Sequence, residues 1–125
     1  MSSFYISDDV ICDDVVVVTA GGELDYEASP KLRERFTSLV KAGRRRLVLD
    51  LSTATFIDST AIGVLVGAVR KLEEAGGGGG GGGGSFAVVC THERVLQIFE
   101  ISGLDGLITV YGSREQALAS PAMAG

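Results

Sequence analysis

The run Asp58-Ser59-Thr60-Ala61-Ile62-Gly63 carries the residues best suited to chemistry in this chain. An acid and two hydroxyls stand where a strand-like segment, Arg46 to Leu51, and its following loop give way to a helical pattern. Hydroxyl oxygens at a helix start accept hydrogen bonds from the unpaired N–H groups of the first turn, so Ser59 and Thr60 are expected as N-caps. The same N–H groups, with the helix dipole, favour an anion such as a phosphate. A hydroxyl in that place suits two roles at once, helix cap and phosphorylation switch.

Other reactive side chains point to less. Cys12 and Cys90 are far apart and form no CxxC pattern, so reduced thiols of a cytoplasmic protein are expected. Cys90 ends an apolar run and reads as a small core residue. His92 stands alone without ligand spacing, and no metal or other cofactor is expected. Ser59, Asp58 and His92 would suggest a hydrolase, but the chain lacks a Gly-x-Ser-x-Gly elbow, and an enzyme is not expected. Gly76 to Gly84 is a run of nine glycines ending Gly84-Ser85-Phe86. A phosphate-binding loop would end in Gly-Lys-Ser or Gly-Lys-Thr, so the run reads as a mobile linker.

The 125 residues suffice for one domain with a real core. A hydrophobic share of 46% fits a folded soluble protein. The net charge of −5 argues against a nucleic-acid partner, whose phosphates need clustered cations. Arg44-Arg45-Arg46 is the single basic cluster and directly follows Gly43, so it reads as the end of a helix and the start of a strand. No apolar run approaches the ~20 residues that cross a bilayer, and Met1 to Phe4 lack the features of a signal peptide.

The elements that position the motif follow from periodicity. Phe4 to Cys12 and Val15 to Ala20 read as strands joined by a tight turn at Asp13-Asp14. Gly21-Gly22 is expected to break the second, and Glu23-Leu24-Asp25 to open a loop. Ser29-Pro30 signals a helix with Ser29 as N-cap, its inner face Leu32, Phe36, Leu39 and Val40, its end Gly43. Leu47 to Leu51 is a strand, and Phe56-Ile57 lead into the hydroxyl motif. Ile62, Leu65, Val66, Val69 and Leu72 form the apolar stripe of the next helix. Gly63 and Gly67 lie four apart in it, which suggests another backbone close by. Phe86 to Cys90 is a strand, Thr91 to Ile101 a helix ended by Gly103, and Leu107 to Tyr111 a last strand. Ser113 and Gln116 form a capping box for a final helix to about Ala119. Strands alternate with helices after the opening hairpin, so an α/β domain with a mixed sheet of about five strands and about four helices is expected.

The chain resembles the STAS domain family, and within it the stand-alone anti-sigma-factor antagonists of the SpoIIAA and RsbV kind. The likeness spans roughly Phe4 to Leu118 and rests on Gly22-Glu23-Leu24-Asp25, Leu47 to Leu51, Phe56-Ile57-Asp58-Ser59-Thr60, Gly63-Val64-Leu65 and Ile101-Ser102-Gly103-Leu104. It implies a STAS domain over 4–119, with 76–84 a flexible linker inside it and 120–125 a tail. Such antagonists bind an anti-sigma factor that is also an ATP-dependent serine kinase and so release a sigma factor. The resemblance makes Ser59 the phosphorylated residue, with Thr60 the alternative, and a PP2C-type phosphatase the enzyme that restores the active form. It places Glu23, Asp25, Asp58, Ser59, Thr60, Ala61, Ile62 and Gly63 on the partner surface. Ala61 stands where the family usually has glycine, and the polyglycine run replaces a short turn. A non-switching STAS subunit of a stress-signalling assembly or lipid transporter is the alternative reading.

Overall fold

In the computed structural model, residues 3–12, 14–75, 84–121 and 123 are described. Strands β1 (Phe4–Val10) and β2 (Val15–Leu24) form an antiparallel hairpin with Val10 opposite Val16. Then follow α1 (Ser29–Lys41), β3 (Arg46–Asp50), β4 (Ala54–Ile57), α2 (Ser59–Ala75), β5 (Ser85–Val89) and α3 (Glu93–Ser102). A short 3-10 turn (Leu104–Gly106), β6 (Thr109–Tyr111) and α4 (Arg114–Ala119) complete the order. The six strands make one mixed sheet, β1-β2-β3-β5-β6, with β4 attached to β2 alone.

The alternation of buried residues sets the layers. Val16, Val18, Leu47, Leu49 and Val88 face the main core beneath α1, α2 and α3 with Leu32, Phe36, Leu65 and Phe99. Val17, Val48, Ala87 and Val89 face the opposite side, covered by Ala117 of α4 and by Met123. Strands buried on both faces read as continuous apolar runs, which is why Val15 to Val18 show no polar interruption. Part of the segment expected as a C-terminal tail thus packs on the sheet.

Several local expectations are corrected. β2 does not break at Gly21-Gly22 but continues to Leu24. Gly22 has φ +82°, and a Cβ there would stand 2.2 Å from the Ser3 carbonyl oxygen. The left-handed backbone shifts the register and hands the pairing from β3 to the parallel β4, with Glu23 opposite Phe56 and Leu24 opposite Ile57. Glu23 and Leu24 therefore belong to a strand. So do Phe56 and Ile57, which supply the sixth strand.

Ser29 is not an N-cap. The residue before α1 is Ala28, and Pro30 is the second helical residue. The buried Ser29 hydroxyl turns inward and donates to the Asp25 carbonyl at 2.8 Å. Thr91 does not cap α3 either; His92 holds that position without a side-chain bond, and Gly103 ends the helix in the left-handed conformation at φ +77°. Outside their own helix turn, Gly63 and Gly67 have no atom of the described residues within 4 Å of a built Cβ, so no other described backbone approaches them. Ser113 caps α4, its Oγ accepting from the Gln116 N–H at 3.1 Å. Of the glycine run, residues 76–83 lie outside the described residues, as does Asp13 of the expected hairpin turn.

Candidate functional site

The hydroxyl motif sits where β4 passes directly into α2, with Asp58 between them. The expected caps are replaced by their neighbour: Asp58, not Ser59 or Thr60, caps α2. Its Oδ1 accepts from the N–H of Thr60 at 3.0 Å and of Ala61 at 3.1 Å, and from the Thr60 hydroxyl at 2.5 Å. A carboxylate serves this end better than a hydroxyl, because its full charge also meets the positive end of the helix dipole. Partial burial pushes the Asp58 carboxyl up. Bonds from the Thr60 hydroxyl and from the N–H groups of Ala61, Thr60 and Tyr26 outweigh it and hold the group below the ordinary carboxylate value.

This cap separates the two hydroxyls. Thr60 is committed to Asp58, and its Oγ1 also lies 2.9 Å from the buried Ser29 Oγ. Ser59 is exposed at the first helical position, and its hydroxyl makes no hydrogen bond among the described residues. Ser29, expected as the cap of α1, instead ties the Asp25 turn to the first turn of α2.

The remaining expected site residues divide. Glu23 is exposed on β2. Asp25 is half-buried and spends Oδ1 on the N–H groups of Glu27 at 3.0 Å and Ala28 at 3.4 Å. Its turn reaches the motif through the Ser29–Thr60 contact, while β2 reaches it through the Asp58 N–H, which donates to the Leu24 carbonyl at 3.2 Å. Ile62 is half-buried and Gly63 exposed, whereas Ala61 is fully buried and points into the core. Two residues not expected on the partner surface stand near the motif: Tyr26 is 68% exposed and Phe56 46%.

Among the described residues no group of three or more His, Cys, Asp or Glu side chains could hold a metal ion. Among them also, no helix is long and apolar enough to cross a membrane. Cys90 is buried, and burial pushes its thiol up.

The comparisons with known proteins agree with this architecture. The anti-sigma-B factor antagonist of Staphylococcus aureus is 30% identical over 93 residues, covering 74% of this chain and 80% of the relative. The crystal structure of an anti-sigma factor antagonist from Mycobacterium paratuberculosis superposes with a TM-score of 0.79 at 28% identity, covering 93% of this chain and 92% of the other. SpoIIAA in its unphosphorylated form shares the fold, with a TM-score of 0.76 at 22% identity over 91% and 93% of the two chains. The same Bacillus protein in its phosphorylated form gives 0.70 at 21% identity over 91% and 96%. The STAS domain profile matches residues 7–117, nearly the whole sheet and its helices, and the chain belongs to the STAS domain family.

Proposed function

We propose that this chain is an anti-sigma-factor antagonist: it binds an anti-sigma factor that is also a serine kinase, frees a sigma factor, and is switched off when Ser59 is phosphorylated. It acts as a regulatory binding protein rather than an enzyme, and a PP2C-type phosphatase reverses the modification. The observation that carries the reading is the state of the Ser59 hydroxyl, exposed at the first helical position and without a hydrogen bond among the described residues, while the neighbouring Thr60 hydroxyl is held by Asp58. The names of the relatives support the same role. Glu23, Asp25, Asp58, Ser59, Thr60, Ile62 and Gly63 form the partner surface in this reading, with the buried Ala61 as its support.

Charge explains how one group can end binding without unfolding the protein. A phosphoserine adds about −1.5 to −2 charges. At the start of α2 the helix dipole tolerates it, while Asp58 keeps the N–H groups of Thr60 and Ala61. In the complex the same group meets the anions a kinase keeps at its acceptor, a catalytic carboxylate and the nucleotide phosphates. Two unit charges ~4 Å apart near a surface repel by about 4 kcal/mol, roughly a thousandfold in affinity.

The test is to incubate the protein with a serine-kinase anti-sigma factor from the same cell and ATP, then read intact mass and map the peptide. One phosphate on Ser59 is expected, Ser59→Ala binding the kinase without being modified and Ser59→Asp binding weakly. An Asp variant that binds as tightly as wild type would rule charge out as the switch. No modification with any such kinase would favour a non-switching subunit of a larger assembly.

A further inference from the structure

Three aromatic rings are largely exposed among the described residues: Tyr5 at 49%, Tyr26 at 68% and Phe56 at 46%. Tyr5 is accounted for within the chain. Its ring covers Gly21, where a Cβ would stand 2.4 Å from it, and its hydroxyl meets Thr53 Oγ1. The other two have no such role among the described residues, and both lie on the elements that meet at the Asp58 cap. Phe56 lies two residues before Asp58 on β4, opposite Glu23 in the register, so the ring and the carboxylate share the outer face while Leu24 and Ile57 share the inner one. Tyr26 stands in the turn before α1, the turn that reaches the motif through the Ser29–Thr60 hydroxyl contact at 2.9 Å.

The turns and strands that carry these rings are rich in acids. Asp8, Asp9, Asp14 and Asp50 each form an ion pair with an arginine. Glu23, Asp25, Glu27 and Asp58 form none among the described residues, and segments 22–30 and 52–69 hold no Lys or Arg, although Lys31 follows in the first turn of α1 and Arg94 lies on α3, which packs against β4. A second copy of this acidic chain is a poor occupant, since like would face like.

We infer that Tyr26 and Phe56 are the apolar anchors of the partner surface, and that they fit an apolar cleft bordered by Lys or Arg on the anti-sigma factor. The inference rests on the proposed function and adds to it the residues that hold the complex together and the chemistry they require. Aromatic side chains dominate binding energy where they enter desolvated pockets, and rigid rings lose little conformational freedom in doing so. The division of labour follows: the rings and the acidic rim hold the partner, and Ser59, beside them, carries the charge that ends the contact. Anchoring of this kind is uniform binding, equal before and during phosphoryl transfer, so it sets KM rather than kcat.

The experiment measures equilibrium binding of wild type, Tyr26→Ala and Phe56→Ala to the purified anti-sigma factor with ADP, at low and high salt, together with KM and kcat for phosphorylation of Ser59. Each variant is expected to bind at least about tenfold more weakly and to raise KM correspondingly, with kcat and the melting temperature unchanged. Wild-type affinity is expected to fall as salt rises. Should Phe56→Ala fail to fold, Phe56→Thr keeps a strand-forming residue without the ring. Wild type that binds while both variants match it would overturn the anchors and leave the proposed function standing. Wild type that binds no anti-sigma factor would overturn the function, and the anchors with it. Variants that abolish self-association in sedimentation, and leave partner binding intact, would show that the rings serve a second copy instead.

Discussion

Asp58 accepts from the Thr60 hydroxyl at 2.5 Å, and of the two adjacent hydroxyls only that of Ser59 is left without a hydrogen bond among the described residues. The carboxylate caps α2 through the N–H groups of Thr60 and Ala61, and the Thr60 hydroxyl completes that arrangement. Ser59, one residue earlier, faces solvent. A kinase must bring its acceptor oxygen within reach of the nucleotide and remove its proton, so an oxygen already committed to an internal carboxylate is a poor substrate.

Phosphorylation should therefore be lost completely in Ser59→Ala and retained in Thr60→Val. Peptide mapping after exhaustive reaction checks both. Phosphate on Thr60 in the wild type, at a level comparable with Ser59, would contradict the assignment.

Removal of the cap should weaken α2 without removing the acceptor. Asp58→Ala leaves the N–H groups of Thr60 and Ala61 without their acceptor, and loss of an N-cap costs about 1 kcal/mol, up to about 2. Asp58→Asn keeps an acceptor oxygen and should recover most of it. Urea midpoints for the three proteins give the order wild type, Asn, Ala. The sign of the pH effect follows from the depressed Asp58 carboxyl: the contribution is present above its unfolded value of 3.8 and fades as pH falls through the lower folded value.

The sequence made the periodic elements legible and left the joints hidden. Val15 to Val18 and Leu47 to Leu49 are legible because burial on both faces leaves an unbroken apolar run. The α2 stripe is legible in part, with Leu65 and Leu72 buried but Ile62, Val66 and Val69 half-buried beside the buried Ala61, Val64 and Ala68. The α4 cap appears because Ser113 and Gln116 sit at capping-box spacing. Capping at α1 and α2 was misread for one shared reason. Asp, Ser and Thr are all good caps, and only the fold decides which of several neighbours turns toward the helix. At α1 the Ser29 hydroxyl is drawn inside by Asp25 and Thr60; at α2 Asp58 precedes both hydroxyls and takes the position. The β2 extension escaped because Gly21-Gly22 looks like a terminator, whereas Gly22 there supplies the positive φ of a bulge. Tyr26 and Phe56 escaped because exposure is not a property of sequence.

A second pH-dependent element lies on the opposite face of the sheet. Burial pushes the Asp50 carboxyl up, but the Ser52 hydroxyl and N–H and the Arg114 guanidinium outweigh it, and the net shift is down. Arg114 reaches from α4 to Asp50 at 3.2 Å, to Thr19 Oγ1 at 3.0 Å and to Asp9 at 3.2 Å, which fastens the last helix across β1, β2 and β3. A lowered folded pKa means that this stability is present above the unfolded value of 3.8 and is lost as pH falls through the folded one. Asp50→Asn should therefore lower stability by roughly 1.5–3 kcal/mol at neutral pH, the range for a hydrogen bond to a charged group, and should flatten the acid limb of the profile. Melts between about pH 2 and about pH 7 measure it; equal acid limbs for the two proteins would contradict it.

The glycines give a prediction with opposite signs at different positions. Gly67 lies inside α2 with nothing within 4 Å of a built Cβ, so Gly67→Ala removes backbone freedom from the unfolded chain without a clash and should stabilise by about 0.5–1 kcal/mol. Gly22→Ala forces a side chain onto φ +82° and to within 2.2 Å of the Ser3 carbonyl, and should destabilise by more than about 1 kcal/mol. It would do so at the bulge that carries β2 over to β4, so hydrogen exchange should accelerate first at Glu23 and Leu24. Gly63→Ala divides the two roles that a small residue can have. It should stabilise the free protein as Gly67→Ala does, because its Cβ also meets open space. On the proposed partner surface the same methyl group would hold the anti-sigma factor away from α2. A more stable Gly63→Ala protein with weakened partner binding assigns this glycine to close approach by the partner's backbone. A variant equally stabilised that binds as wild type would place the contact elsewhere on the helix.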